Sequence, residues 1–171
     1  MSQQQEQYYL QMAQYKFSLI YWSRYATRIQ TISRFIKISL AVISTISAAT
    51  WANWNSTGYV CSILIIASQA VAVIYEYLPF PQRINELLKL TTALTPIYNN
   101  MEKEWFTVSN GELTDKEINQ LLYDFIEKWR REDAKYFQDE SLPVIKGVKL
   151  KADQEKNEYF RNRFGDYYGK K

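Results

Sequence analysis

A chain of 171 residues with a net charge of +3 and a mean hydropathy of -0.37 allows one domain, or an apolar unit joined to one small polar unit. It has no histidine and a single cysteine, Cys61, which excludes an internal disulfide and removes the commonest general base, metal ligand and physiological pH switch. With five scattered glycines there is no phosphate-cradling loop either, so the chain reads as no enzyme and no cofactor is implied.

Residues 1–7 form a glutamine-rich polar start without the basic and apolar regions of a signal peptide. From Tyr8 a 4-3 spacing runs through Met12, Tyr15, Leu19, Trp22, Ala26, Ile29, Ser33 and Ile36. It predicts one apolar seam on a long helix, with Arg24, Arg28 and Arg34 off the seam. No proline or glycine interrupts residues 8–54, so this helix is free to continue into the apolar stretch beyond residue 37.

Residues 38–75 hold no Asp, Glu, Lys or Arg. They read as two apolar runs, 38–54 and 59–78, joined by the polar tip Asn55-Ser56-Thr57-Gly58. As helices these would span roughly 25 and 30 Å, close to the hydrocarbon thickness of a bilayer. In the first run Ser39, Ser47, Thr50 and Asn53 fall within a sector of about 120°, together with Ile43. In the second, Ser62, Gln69 and Glu76 recur every seven residues, and Ser68 with Ala72 offers a small-residue contact surface. A mid-run amide such as Gln69 needs a partner or water, and two lone helices have little room to hide a polar stripe from lipid. Two readings suit these positions: packing contacts between helices, or a homo-oligomer, guessed as a tetramer, that turns the stripe inward around a pore. Pore-lining candidates are Gln69, Ser62, Ser39, Ser47, Thr50 and Ile43.

Charge sets the expected topology. Residues 1–37 carry five basic groups against Glu6, a balance of +4; residues 79–144 carry 8 basic and 12 acidic groups; residues 145–171 carry 8 basic and 4 acidic groups. Basic residues flank both runs and none lies at the tip, which predicts cytoplasmic termini on either side of a multi-pass bacterial inner-membrane segment.

Pro79 and Pro81 end the second run, and helical spacing resumes at Ile84. Helices are predicted near 82–95 and 96–108, or as one helix kinked at Pro96. Ser109-Asn110-Gly111 is a turn, and Thr114 with Glu117 forms a capping box. The next helix carries Ile118, Leu122, Phe125 and Trp129 on one stripe and is predicted to end near Gln138. Ser141-Leu142-Pro143 breaks the chain before a last helix over 150–164, closed by Gly165. Its end is basic and aromatic, with Tyr159, Phe160, Arg161, Arg163 and Phe164. Such interleaving can hold phosphates while stacking bases, or it can pack its aromatics and pair its arginines with the acidic middle block. The predicted organisation is an N-terminal amphipathic helix (1–37), a transmembrane hairpin (38–78, as 38–54 and 59–78) and a helical domain (79–171). The fold class is an all-α membrane protein: a two-helix transmembrane hairpin between a long N-terminal cytoplasmic helix and a C-terminal cytoplasmic helical bundle.

This layout, and the closing segment Leu142-Pro143…Lys149, Lys151-Ala152…Tyr159-Phe160…Phe164-Gly165, resembles the SLATT-type effectors of bacterial anti-phage defence, including the pore-forming effector of Hailong-type systems. The resemblance implies an ion channel in the lipid bilayer whose opening depolarises the membrane and arrests or kills the infected cell. It also implies a partner nucleotidyltransferase whose nucleotide or DNA-oligonucleotide product regulates the pore. That product would bind the helical part, with Arg161, Arg163, Lys146, Lys149, Tyr159 and Phe160 as ligand-binding candidates. The alternative is a membrane-anchored adaptor whose cytoplasmic helices bind a partner protein.

Overall fold

The computed structural model describes residues 1–50, 63, 65–73, 80–136 and 144–165; of 44–50, 80 and 81 only the backbone is described. The described secondary structure is helical: α1 (Gln3–Thr50), a helical stretch at 65–73, α2 (Phe80–Ser109), α3 (Asp115–Asp133) and α4 (Lys146–Phe164). The chain divides into two compact units, one of Met1–Ala26 with Asn85–Lys171 and one of Thr27–Ile84.

The first unit is a bundle built on matching apolar seams. On α1, Tyr8, Met12, Tyr15 and Leu19 are buried, and Trp22 packs against the same cluster. On α2 the buried positions are Leu87, Leu90, Leu94, Tyr98, Met101, Trp105 and Val108. Their steps of three and four keep one face of the helix against the core. α3 contributes Ile118, Leu122, Phe125 and Trp129, and α4 contributes Val148, Ala152 and Phe160. Aromatic rings fill the centre: Tyr15 stacks on Trp129 at 3.9 Å and 1°, and Tyr9 meets Trp105 at 5.1 Å and Phe160 at 5.3 Å. Offset and edge contacts of this kind add about 0.5–1.5 kcal/mol per pair beyond the buried area. The Tyr8 hydroxyl donates to the Met101 carbonyl at 2.9 Å, so burying the ring strands no donor.

Local chemistry sets the ends. Gly111 adopts φ +75° in the turn after α2, a region that L side chains rarely enter. Thr114 then caps α3: its hydroxyl accepts from the Glu117 amide, and the Glu117 carboxylate accepts from the Thr114 amide at 2.8 Å. α3 ends at Asp133, earlier than the predicted Gln138, and residue 138 itself lies outside the described residues. α2 is one helix that continues through Pro96 rather than two. Around that proline, Thr91, Thr92 and Thr95 hydroxyls donate to carbonyls three or four residues back. α4 starts at Lys146, four residues before the predicted start, and Gly165 (φ +64°) closes it.

In the second unit, Ile29, Ser33, Ser68 and Ile84 are buried. Around them stand exposed large apolar side chains: Ile32, Phe35, Ile38 and Val42 on α1, and Ile63, Ile66, Val71 and Val73 at or beside the helical stretch.

The transmembrane hairpin is the expectation that fails. Among the described residues no helix is long and apolar enough to cross a membrane. Frequent hydroxyls (Ser39, Ser44, Thr45, Ser47 and Thr50) dilute the first run. In that first run absence of charge does not amount to lipid-phase hydrophobicity. The tip at 55–58, and the ends of the second run at 59–62 and 74–78, lie outside the described residues. Among the described residues the fold is therefore all-α without a membrane-spanning hairpin, and the multi-pass inner-membrane localisation falls with it. So do the pore, the ion channel and the depolarising anti-phage function, each of which needed a helix that spans. The SLATT-type resemblance rested on that same hairpin layout and has no support in the structure.

Candidate functional site

The first unit gathers its polar chemistry where α1, α2 and α4 meet. Glu102, buried on α2, accepts from the Tyr159 hydroxyl at 2.8 Å and from Arg163 Nε at 3.0 Å. Tyr159 and Arg163 are one turn apart on α4, so the helix itself delivers both donors to one carboxylate. Lys16 enters from α1, its ammonium 3.6 Å from the centroid of the Tyr159 ring and 4.8 Å from that of Tyr98. A cation over two electron-rich ring faces is held by their quadrupoles. Burial lowers the Lys16 pKa, against the pull of Glu102 and Glu155 in the other direction. Burial and the bond to Glu102 push the Tyr159 phenol up to about 12. The Tyr98 phenol is raised as well, chiefly by burial and then by Glu102. Its hydroxyl is buried without a hydrogen bond of ordinary geometry, although Tyr159 is near enough to perturb it.

Beside this cluster a cleft of about 270 Å³ opens along α1, lined by Lys16, Ser23, Arg24, Tyr98, Asn99 and Glu155 among others. Arg24 Nε and Glu155 pair across it at 2.6 Å, both side chains nearly half exposed. Such a pair is worth about 0–1 kcal/mol, so it marks the rim more than it holds the fold. Among the described residues no His, Cys, Asp and Glu are grouped to hold a metal ion.

The ligand-binding candidates divide. Tyr159 and Arg163 come together at Glu102, while Phe160 is core, packed on Tyr9 and Phe164. Arg161, Lys146 and Lys149 are exposed and join no cluster with them. Of the pore-lining candidates, Gln69 is exposed, whereas Ser39 and Ile43 are half-buried. Ser47 and Thr50 belong to α1 but their side chains lie outside the described residues, as does Ser62 altogether. Lys16, Tyr98, Glu102, Arg24 and Glu155 were missed as site residues. A signal existed for two of them: Lys16 follows the seam residue Tyr15, and Glu102 follows Met101. A charge one step from a seam flanks the core rather than pointing directly into solvent.

Comparison with known protein families, with curated proteins and with solved structures finds no match, so no family can be assigned to the chain.

Proposed function

We propose that this protein is a non-catalytic assembly module, in which the first unit is a rigid helical platform and the second joins two or more copies. One observation supports the reading above others. In the second unit, eight large apolar side chains are 45–71% exposed: Ile32, Phe35, Ile38, Val42, Ile63, Ile66, Val71 and Val73. Those on α1 fall within a sector of about 120° and so share one helix side. At ordinary side-chain areas the eight expose on the order of 800 Å², which is about what one partner contributes to a standard interface. Exposed apolar side chains in such number favour an interaction surface.

A second copy is the partner that fits best. Six of the eight, from Ile38 to Val73, lie in the charge-free stretch 38–75, so that part of two such surfaces can meet without burying an unpaired charge, with Arg28 and Arg34 left toward the rim at the Ile32 end. Self-association through one shared patch is also the commonest form of assembly. Light scattering behind size exclusion, on the full chain at tens of micromolar, tests this. The native protein should run as an oligomer, and Phe35→Glu and Ile66→Glu should each shift it toward monomer, with helical content retained in circular dichroism. A native monomer, or assembly indifferent to both substitutions, overturns the proposal.

A further inference from the structure

We propose that the cleft beside Lys16 in the first unit is a binding site for a small monocarboxylate with a short apolar body. The inference concerns the first unit alone and stands independently of self-association through the second. Charge decides the sign of the ligand. Lys16 and Arg24 bring two cations to the cleft, and Glu155, paired with Arg24, is the one carboxylate lining it. The nearby Glu102 is already engaged by Tyr159 and Arg163. Among the described residues no carboxylate lies within ion-pair distance of the Lys16 ammonium, which rests on two aromatic rings. A surplus of one positive charge calls for one negative charge.

Donors set the group. Lys16 brings an ammonium that no carboxylate pairs at ion-pair distance among the described residues, and Tyr98 lines the cleft as a residue while its hydroxyl is closed off behind it. The Arg24 guanidinium commits Nε to Glu155, and the group carries five N–H donors in all. Asn99 lines the same cleft with an amide. A carboxylate, which only accepts, suits such a surplus of donors. Volume and lining set the body. About 270 Å³ falls just below the range of roughly 300–1,000 Å³ that holds drug-sized ligands, which suits a small one. Leu19 and Ile20 supply an apolar wall for a few methylenes.

The test titrates the full chain with sodium butyrate, acetate and inorganic phosphate, each at ionic strength matched by chloride, and follows amide chemical shifts and heat. Butyrate should bind saturably and more tightly than acetate, with shifts centred on residues 16–24 and 95–99. Lys16→Met should weaken butyrate by about tenfold or more, the size of one lost charge-assisted contact. Asn99→Asp, on an exposed position, should weaken it too by adding a negative charge at the mouth, and it serves if Lys16→Met fails to fold. Lys151→Met, an exposed cation outside the cleft, should leave binding unchanged. A response no different from chloride, phosphate binding as tightly as butyrate, or full butyrate affinity in Asn99→Asp overturns the assignment.

Discussion

Tyr98 shows how one buried phenol ties stability to pH. Its hydroxyl, and that of Tyr8, are held protonated mainly by burial, Tyr15 is raised for the same first reason, and Tyr159 is pushed up to about 12. In the unfolded chain each ionises near 10. Above that pH the unfolded state releases protons that the folded state keeps, so stability falls as pH rises from about 10 through 12 and beyond. Below 10 this contribution is fully present. Lys16 acts the other way: its folded pKa is lowered, so stability it withholds at neutral pH returns as pH climbs toward 10.5. Four phenols against one amine predict a net alkaline loss. Denaturant unfolding across pH 9–12 should show it, and Tyr98→Phe should make the slope shallower by about one proton. At pH 7 the same variant should be as stable as the native protein or slightly more so, because the lost hydroxyl satisfied no hydrogen bond of ordinary geometry.

Among elements, α3 is held by the most local chemistry. Thr114→Ala removes the acceptor for the Glu117 amide and should cost about 1 kcal/mol, read as a lower urea midpoint at unchanged slope. The Thr114 bonds hold the Glu117 carboxyl below its ordinary range, so its part of the cap is present above about pH 4.5 and fades as the medium becomes more acidic. The gap between the native and Thr114→Ala proteins should therefore narrow in acid, to the part contributed by the hydroxyl–amide bond. This helix was legible in the chain: a threonine, a glutamate three residues on, and a stripe at 118, 122, 125 and 129. The seam from Tyr8 to Ser33 was legible for the same reason, since a strict 4-3 spacing has no other economical use. α2 was legible in its buried face, and of the two readings of its continuity the single helix holds. Proline propensity argues for a break at Pro96, and the packing of Leu94, Tyr98 and Met101 on one core overrides it. The cleft was hardly legible at all. Lys16, Glu102 and Tyr159 are 57 or more residues apart in the chain, and only the folded bundle makes them neighbours. The hairpin expectation does not hold: among the described residues no helix is long and apolar enough to cross a membrane.

At the scale of the whole molecule the two units differ in how much they bury. The first has a continuous core, with Tyr8, Met12, Leu90, Leu94 and Met101 wholly enclosed. The second, in its described part, encloses Ile29, Ser33, Ser68 and Ile84 and leaves its larger side chains outside. Opening free energy tracks enclosed apolar contact, so amide hydrogens of 98–108 should exchange far more slowly than those of 65–73 in the isolated chain. Hydrogen exchange read by mass spectrometry measures this directly. Protection of 65–73 that rises with protein concentration would be the signature of self-association, while comparable protection at all concentrations would argue against it.

The parallel stack of Tyr15 on Trp129, with Trp22 at 6.1 Å from the same indole, gives the first unit an optical identity. Rings fixed at such separations in a chiral setting couple their transitions, and their near-ultraviolet dichroism disappears when the bundle loosens even if the helices persist. Trp105, in ring contact with both Tyr8 and Tyr9, reports on another part of the same core. The bundle thus carries its own chromophores for watching tertiary order separately from helix content, with no added label.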